Sequence, residues 1–316
     1  MAEVLTCGEA LVAAAPESRG RLGDSTRLGL YVAGAESNVA IGLARLGIAV
    51  RYAGAVGNDP FGDMIRERLA GEGINVEGLQ SRPEPTGIFF KEWYGLVPEP
   101  RVYYYRTHSA GSQWTVMEAD RQQVAQSKWL HTTGITAMVG LGPHDGIQTL
   151  IGEALRHGVT VSMDVNLRLK LGDIDQWRQV LTPLLTQATV IFATAEELTR
   201  LYGPRPIGTY YADGLFCPTA YVVLKYGEEG SKVFDASGEI AAAAGFAVAS
   251  PVDPVGAGDG FAAGMIAGRL KGLPWAEALR LGNLVGALAV NHPGDFEGYP
   301  RWTEAQALLD QMWVDR

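Results

Sequence analysis

Along the chain, short apolar and β-branched runs alternate with longer segments whose apolar residues recur at helical spacing. Residues 50–54 precede a helical pattern over 60–69, residues 159–165 precede 176–185, and residues 189–193 precede 196–202. This alternation predicts a parallel α/β sheet with strands buried on both faces. Local signals agree with it: Asp59 before Pro60 is an N-cap followed by proline at the first helical position, and Gly47 and Gly158 follow expected helix ends.

Two stretches break the alternation. Residues 88–94 and 101–106 pattern as two strands joined across Pro98-Glu99-Pro100, with no helix between them, and residues 12–32 lack a helical period as well. Together they predict a small, mostly β appendage built from about 12–35 and 86–110 and set outside the main sheet. Such an excursion is either a lid over a cleft or a flap that joins copies of the chain. Within it, alternation puts Tyr104 and Arg106 on one face and Tyr103 and Tyr105 on the other. Aromatic residues suit a strand by propensity alone, so this arrangement does not by itself require a ligand. Residues 109–112 (Ser-Ala-Gly-Ser) supply small residues for a hinge or strand-exit turn. No internal repeat or low-complexity linker divides the chain, so one domain over 1–316 is expected.

Composition narrows the class. A chain of 316 residues, 47% of them hydrophobic, can bury a large core. Its 35 acidic and 26 basic residues give a net charge of -9, which repels a nucleic-acid backbone, so no nucleic-acid partner is expected. The two cysteines, Cys7 and Cys217, and the five histidines show no metal-ligand spacing. The apolar stretch 10–15 is too short for a signal-peptide core, and later runs such as 284–290 stop well short of the roughly 20 residues of a membrane span. The expectation is a cytoplasmic protein with no membrane partner.

The chemistry is concentrated in Asp253-Pro254-Val255-Gly256-Ala257-Gly258-Asp259, which opens directly into a run of small and apolar residues over 260–266. A glycine-rich turn leading into a buried helix presents unpaired N–H groups and a partial positive charge, a cradle for an anion. Asp259, where the cradle meets the helix, is placed to take a proton from a hydroxyl. The alternative is a first-turn acid that interacts with the helix dipole, worth about 0.3–1 kcal/mol. The segment is neither a P-loop nor a complete dinucleotide fingerprint, because Phe261 stands where the third glycine would fall.

Residues 253–266 resemble the C-terminal signature of the ribokinase-like (PfkB) carbohydrate kinases. A second segment, Ala33-Gly34-Ala35-Glu36-Ser37-Asn38-Val39-Ala40 with Gly47 and Gly57 beyond it, resembles that family's sugar-binding signature, and the likeness spans essentially the whole chain. The resemblance implies an α/β, three-layer ribokinase-like domain with a mostly parallel central sheet and a small β-sheet lid. It implies an ATP-dependent kinase using Mg²⁺, with Asp259 as general base and Gly256, Ala257 and Gly258 as the anion hole. Gly34, Asn38, Tyr104, Arg106 and Arg168 match sugar contacts. Asn166, Arg168, Thr194, Lys225, Gly227, Gly230 and Asn283 match contacts to nucleotide or phosphate, and Glu197 matches an acid that organises Mg²⁺ through water. Thr194 stands where the family has asparagine. Taken without the resemblance, Lys225 is a solvated strand end, and Glu196 and Glu197 are favourable first-turn charges.

Within the family, Gly8-Glu9-Ala10-Leu11-Val12, the lid strand Arg101-Val102-Tyr103-Tyr104-Tyr105-Arg106 and Asp164-Val165-Asn166-Leu167-Arg168 are most similar to kinases of 2-keto-3-deoxygluconate. That likeness implies a sugar-acid substrate, and the β appendage is expected to join copies of the chain into a homo-oligomer. The alternatives are a fructokinase or other neutral-sugar or nucleoside kinase, and a non-catalytic sugar sensor. A sensor has no mechanistic need for the aspartate.

Overall fold

The computed structural model describes residues 2–17, 20–94 and 100–314. Its strands are β1 Val4–Cys7, β2 Leu11–Pro16, β3 Leu28–Ala33, β4 Val50–Gly57, β5 Asn75–Arg82, β6 Ile88–Glu92, β7 Arg101–Tyr105, β8 Trp129–Thr133, β9 Thr160–Asp164, β10 Val190–Thr194, β11 Tyr221–Lys225, β12 Gly230–Asp235 and β13 Gly238–Ala244. Nine of these form one sheet in the order β13-β12-β11-β10-β9-β8-β1-β4-β5. Pairing is parallel from β11 through to β5, and β12 and β13 add an antiparallel edge.

Helices cover both faces of this sheet, which explains why β1, β4 and β8 are buried along their whole length. On one face, Val39, Ile41 and Leu43 of the helix Ala35–Arg45 pack with Phe261, Met265 and Ile266 of Ala257–Leu270 and with Leu281 and Val285 of Trp275–Ala289. On the other, Leu150 and Ile151 of Leu141–Arg156 pack with Trp177, Leu181 and Leu184 of Ile174–Leu185. The three-layer architecture is the one expected. The end signals hold too: Asp59 accepts the Gly62 N–H at 2.8 Å ahead of a helix that starts at Pro60, and Gly47 and Gly158 take positive φ just past helix ends.

The excursion forms a separate four-stranded sheet in the order β3-β2-β6-β7. β6 and β7 pair antiparallel as the predicted hairpin, while the Pro98-Glu99 part of its connection lies outside the described residues. β2 and β6 pair parallel, with Val12 opposite Ile88, which joins the two excursions into one element. One face of this small sheet buries Leu11, Ala13 and Phe89, and the other leaves Leu30, Tyr103 and Tyr105 exposed.

Chain order places the cleft. From β1 the sheet grows one way through β4 and β5, and from β8 it grows the other way through β9, β10 and β11. In an open parallel sheet, ligands settle beyond the carboxyl ends of the strands near such a reversal. Asp164, Thr194 and Lys225 are the last residues of β9, β10 and β11, and Thr194 is in register with Lys225. Among the described residues no helix is long and apolar enough to cross a membrane.

Candidate active site

The glycine-rich turn opens directly into a helix, which makes it the candidate anion cradle. Gly256 is the N-cap of the helix Ala257–Leu270 and adopts a left-handed conformation, φ 87°. Its carbonyl accepts the Tyr299 hydroxyl at 2.6 Å, and a Cβ at this position would run into the backbone of Asp295. Glycine is therefore required twice, once for its torsion and once for space. Gly256→Ala is expected to cost about 2 kcal/mol or more, since the left-handed torsion alone costs about 1–2 and overpacking about 1–3. Chemical denaturation checks this, and an unchanged midpoint would contradict it.

The next residues differ in how free they are. The Ala257 N–H is turned toward the Pro254 carbonyl at 3.3 Å, so its predicted place in the anion hole is partly taken. The helix-start amides of Gly258 and Asp259 have no intrahelical acceptor. Lys225 Nζ lies 3.4 Å from where a Cβ on Gly258 would sit, which brings a cation to the mouth of the cradle.

Asp259 is half-buried in the first turn of this helix. Burial pushes its pKa up to about 7; the Asn38 hydrogen bond works against this, and the nearby Asp164 and Asp295 charges add to it. Asn38 Nδ2 donates to Asp259 Oδ2 at 2.8 Å and to Asp295 Oδ2 at 3.3 Å. Asn38, expected at the sugar, thus also orients the candidate base. Asn166 approaches Asp259 Oδ1 at 3.5 Å and holds a left-handed backbone, φ 43°, a conformation asparagine tolerates better than most residues. A carboxyl group near neutrality, fixed by two amides at an anion cradle, can accept a hydroxyl proton.

Lys225 is not a solvated strand end. Its ammonium pairs with Asp164 at 2.6 Å. Burial disfavours its charge, but the Asp164 and Glu197 carboxylates outweigh that and hold its pKa above the ordinary value. Thr194, the substituted position, caps the helix Ala195–Tyr202: its hydroxyl accepts the Glu197 N–H at 3.1 Å while Glu197 Oε2 accepts the Thr194 N–H at 2.8 Å. The other oxygen, Glu197 Oε1, accepts the Leu167 N–H at 2.9 Å. Glu197 is therefore a capping acid that also ties the Asn166-Leu167-Arg168 segment to this helix.

The expected sugar contacts gather at the corner between the two sheets. Gly34, φ 127°, packs so closely on the Glu9 carbonyl that no side chain fits there. The Glu9 carboxylate accepts from both Arg106 and Ser109. Arg106 Nε is buried with no hydrogen-bond partner among the described residues, and its guanidinium lies 5.6 Å from the Tyr104 ring. Arg168 is exposed and donates to the Leu167 carbonyl at 3.0 Å. Two residues further on, Lys170 donates to the Val102 carbonyl of β7, so the Arg168 segment reaches the small sheet.

A second group lies at the β11–β13 end. Gly227 and Gly230 turn the chain between β11 and β12, both at positive φ, and Asn283 Nδ2 donates to the Ala243 and Ala244 carbonyls at 3.1 Å each. Asn283, expected at the nucleotide, anchors the end of β13.

Sequence reasoning missed Glu9, Lys170 and a buried cluster in which Lys91 Nζ sits 2.7 Å from both Asp253 Oδ2 and Asp295 Oδ1. Lys91 shares a strand face with buried Phe89, and a cation at an inward position of an alternating strand was the available signal. Asp295 follows Gly294 in an unpatterned loop and gave no signal.

No group of three or more His, Cys, Asp or Glu side chains is arranged to hold a bare metal ion among the described residues. Asp164 Oδ1, buried and without a hydrogen-bond partner among the described residues, and Glu197 beyond Lys225 are acceptors that suit the water shell of a hydrated cation.

Comparison with known proteins identifies the family. A family profile described as pfkB family carbohydrate kinase matches residues 1–302. The chain is 36% identical to a 2-dehydro-3-deoxygluconokinase of Bacillus subtilis, over 97% of this chain and 95% of that protein. It is 31% identical to a 2-dehydro-3-deoxygluconokinase of Thermoproteus tenax, over 99% and 95%. Among solved structures, a putative ribokinase II of E. coli in complex with ATP and Mg²⁺ superposes with a TM-score of 0.88 at 26% identity, covering 98% of this chain and all of that one.

Proposed function

The chain belongs to the pfkB family of carbohydrate kinases and is an ATP-dependent sugar kinase, and from that premise we propose that it phosphorylates a sugar acid, 2-keto-3-deoxygluconate (2-dehydro-3-deoxygluconate), at its 6-hydroxyl. The observation that carries the reaction is Asp259, poised near neutrality beside the cradle and held by Asn38. A substrate hydroxyl directed at the γ-phosphorus gives its proton to the Asp259 carboxylate as the new P–O bond forms and the bond to ADP breaks. In this reading the Gly258 and Asp259 amides and the nearby Lys225 ammonium stabilise the negative charge on the transferring group. Mg²⁺, held with the nucleotide through waters near Glu197 and Asp164, would neutralise phosphate charge.

The sugar-acid reading rests on the guanidinium groups of Arg106 and Arg168 and on the two 2-dehydro-3-deoxygluconokinase relatives. In this reading residues 1–316 form one kinase domain, and its small sheet is a lid that excludes water from the reacting phosphate. The row of Leu30, Tyr103 and Tyr105 on the outer face of the sheet supports self-association of two chains, and sedimentation at the monomer mass would remove that part of the proposal. An ATP-consumption screen over 2-keto-3-deoxygluconate, 2-keto-3-deoxygalactonate, gluconate, fructose, ribose and adenosine tests the whole reading. Preference for fructose would replace it with a fructokinase, and no turnover on any sugar would leave a sensor.

A further inference from the structure

A buried ion cluster joins the small sheet to the cradle. Lys91 comes from β6, Asp253 opens the glycine-rich turn, and Asp295 lies in the loop after the helix Trp275–Ala289; all three are almost fully buried. Burial alone would favour the neutral amine at Lys91, but the Asp295 and Asp253 charges outweigh it and hold the pKa above its ordinary value, so the group is an ammonium ion.

Each carboxylate uses its second oxygen on the catalytic side. Asp253 Oδ1 accepts the Val255 N–H at 3.0 Å, which fixes the turn one residue before Gly256. Asp295 Oδ2 accepts from Asn38, whose same nitrogen donates to Asp259 at 2.8 Å. The Asp295 backbone is also the wall against which Gly256 packs. One ammonium ion therefore lies at the junction of two short paths, one to the anion cradle and one to the candidate base. Three buried charges are a poor way to gain stability, because desolvation offsets most of their attraction and an apolar cluster of equal volume serves as well. Orientation is what such a cluster supplies.

We propose that Lys91 is a positioning residue for phosphoryl transfer, its ammonium ion setting the Asp253-Pro254-Val255-Gly256 turn and the Asn38–Asp259 pair in their reactive places when β6 of the small sheet is seated on the cradle. The inference rests on the reading of Asp259 as the base. Its consequence is that the ammonium ion acts on turnover rather than on nucleotide affinity, and that a small cation can replace it.

The test is Lys91→Ala in the full chain, assayed with the substrate that the screen selects, in chloride salts of ammonium, methylammonium or choline at equal ionic strength. The expected result is a fall in kcat of about 10²-fold, the scale for misplacing reacting groups by about 1 Å, with KM for ATP within about threefold of wild type. Ammonium or methylammonium should recover about tenfold of that loss, and choline, too large for the space left by the side chain, should recover none. A folded variant with kcat within about threefold of wild type overturns the proposal, as does a loss that no small cation repairs. If Lys91→Ala does not fold, Lys91→Met combined with Asp295→Asn removes one charge of each sign and takes its place. That double variant is expected to fold and stay slow, and wild-type turnover from it overturns the proposal. Asp259→Asn separates the two readings: if it is inactive while Lys91→Ala is fully active, only this inference fails, and if it is itself active, the base assignment fails.

Discussion

Asp259→Asn is expected to bind ATP and sugar nearly as wild type does and to lose about 10²–10⁴-fold in kcat, the usual contribution of a positioned general base. Asparagine keeps an acceptor for Asn38 Nδ2, so the packing around the site survives while the proton acceptor is lost. A variant that retains more than about a tenth of wild-type turnover, with chemistry shown to limit the rate, would falsify the base assignment, because a factor of ten is only about 1.4 kcal/mol.

The same residue sets a pH signature. The groups around it are Asn38, Asn166, Asp164, Asp295 and Lys225, and burial leads the rise of its pKa to about 7. The base must be ionised to act, so kcat/KM should fall as pH drops through about 7. Stability should run the other way. The folded protein holds this proton between the ordinary carboxyl value of 3.8 and about 7, so its contribution is fully present below that window and is lost as pH rises through about 7. Asp259→Asn should thus be more stable than wild type at pH about 8, by roughly 2–4 kcal/mol after allowing for water in the cleft, and equal to it at pH about 4. Urea unfolding at the two pH values measures the difference.

The layers of this fold were legible because parallel strands buried on both faces leave long aliphatic runs, and because Asp59-Pro60, Gly47 and Gly158 punctuate helices by local chemistry. The β6–β7 hairpin was legible from its period-two pattern. The parallel pairing of β2 with β6 was not, since it joins residues far apart in sequence and no local signal specifies a partner strand. The site divides in the same way. Gly256 and Asp259 are adjacent in a dense local pattern, whereas Lys91, Asp253 and Asp295 meet only after folding. Lysine is so rarely buried that Lys225, at a strand end, has no inward reading without a tertiary partner, and Lys91 has only the alternation of its strand to mark it. Thr194 shows the reverse case: a substitution that departs from the family pattern keeps its capping geometry, because a hydroxyl caps a helix as an amide side chain does.

Arg106→Leu is expected to lower kcat/KM for 2-keto-3-deoxygluconate by about 2–5 kcal/mol, the range for truncating one partner of a buried charge pair, while activity on a neutral ketose falls far less. A guanidinium about 4 Å from a carboxylate attracts it by about 4 kcal/mol at an effective dielectric of about 20, before desolvation removes part of that. Glu9 already takes one side of this guanidinium, but Nε is left buried with no partner among the described residues, a donor that a substrate carboxylate would satisfy. The pairing adds a second effect, because without Arg106 the Glu9 carboxylate, 2% exposed, keeps only the Ser109 hydroxyl among the described residues. The leucine variant should therefore also be less stable, and lost activity alone does not establish recognition. Glu9→Gln combined with Arg106→Leu removes the stranded charge and should restore stability without restoring sugar-acid turnover. Arg168→Leu supplies the complementary case, since Arg168 is exposed and its loss should weaken the sugar acid selectively at little cost to the fold. If Arg106→Leu depresses sugar-acid and neutral-sugar activity equally once stability is restored, the arginine holds the corner between the sheets and the substrate's carboxylate is recognised elsewhere.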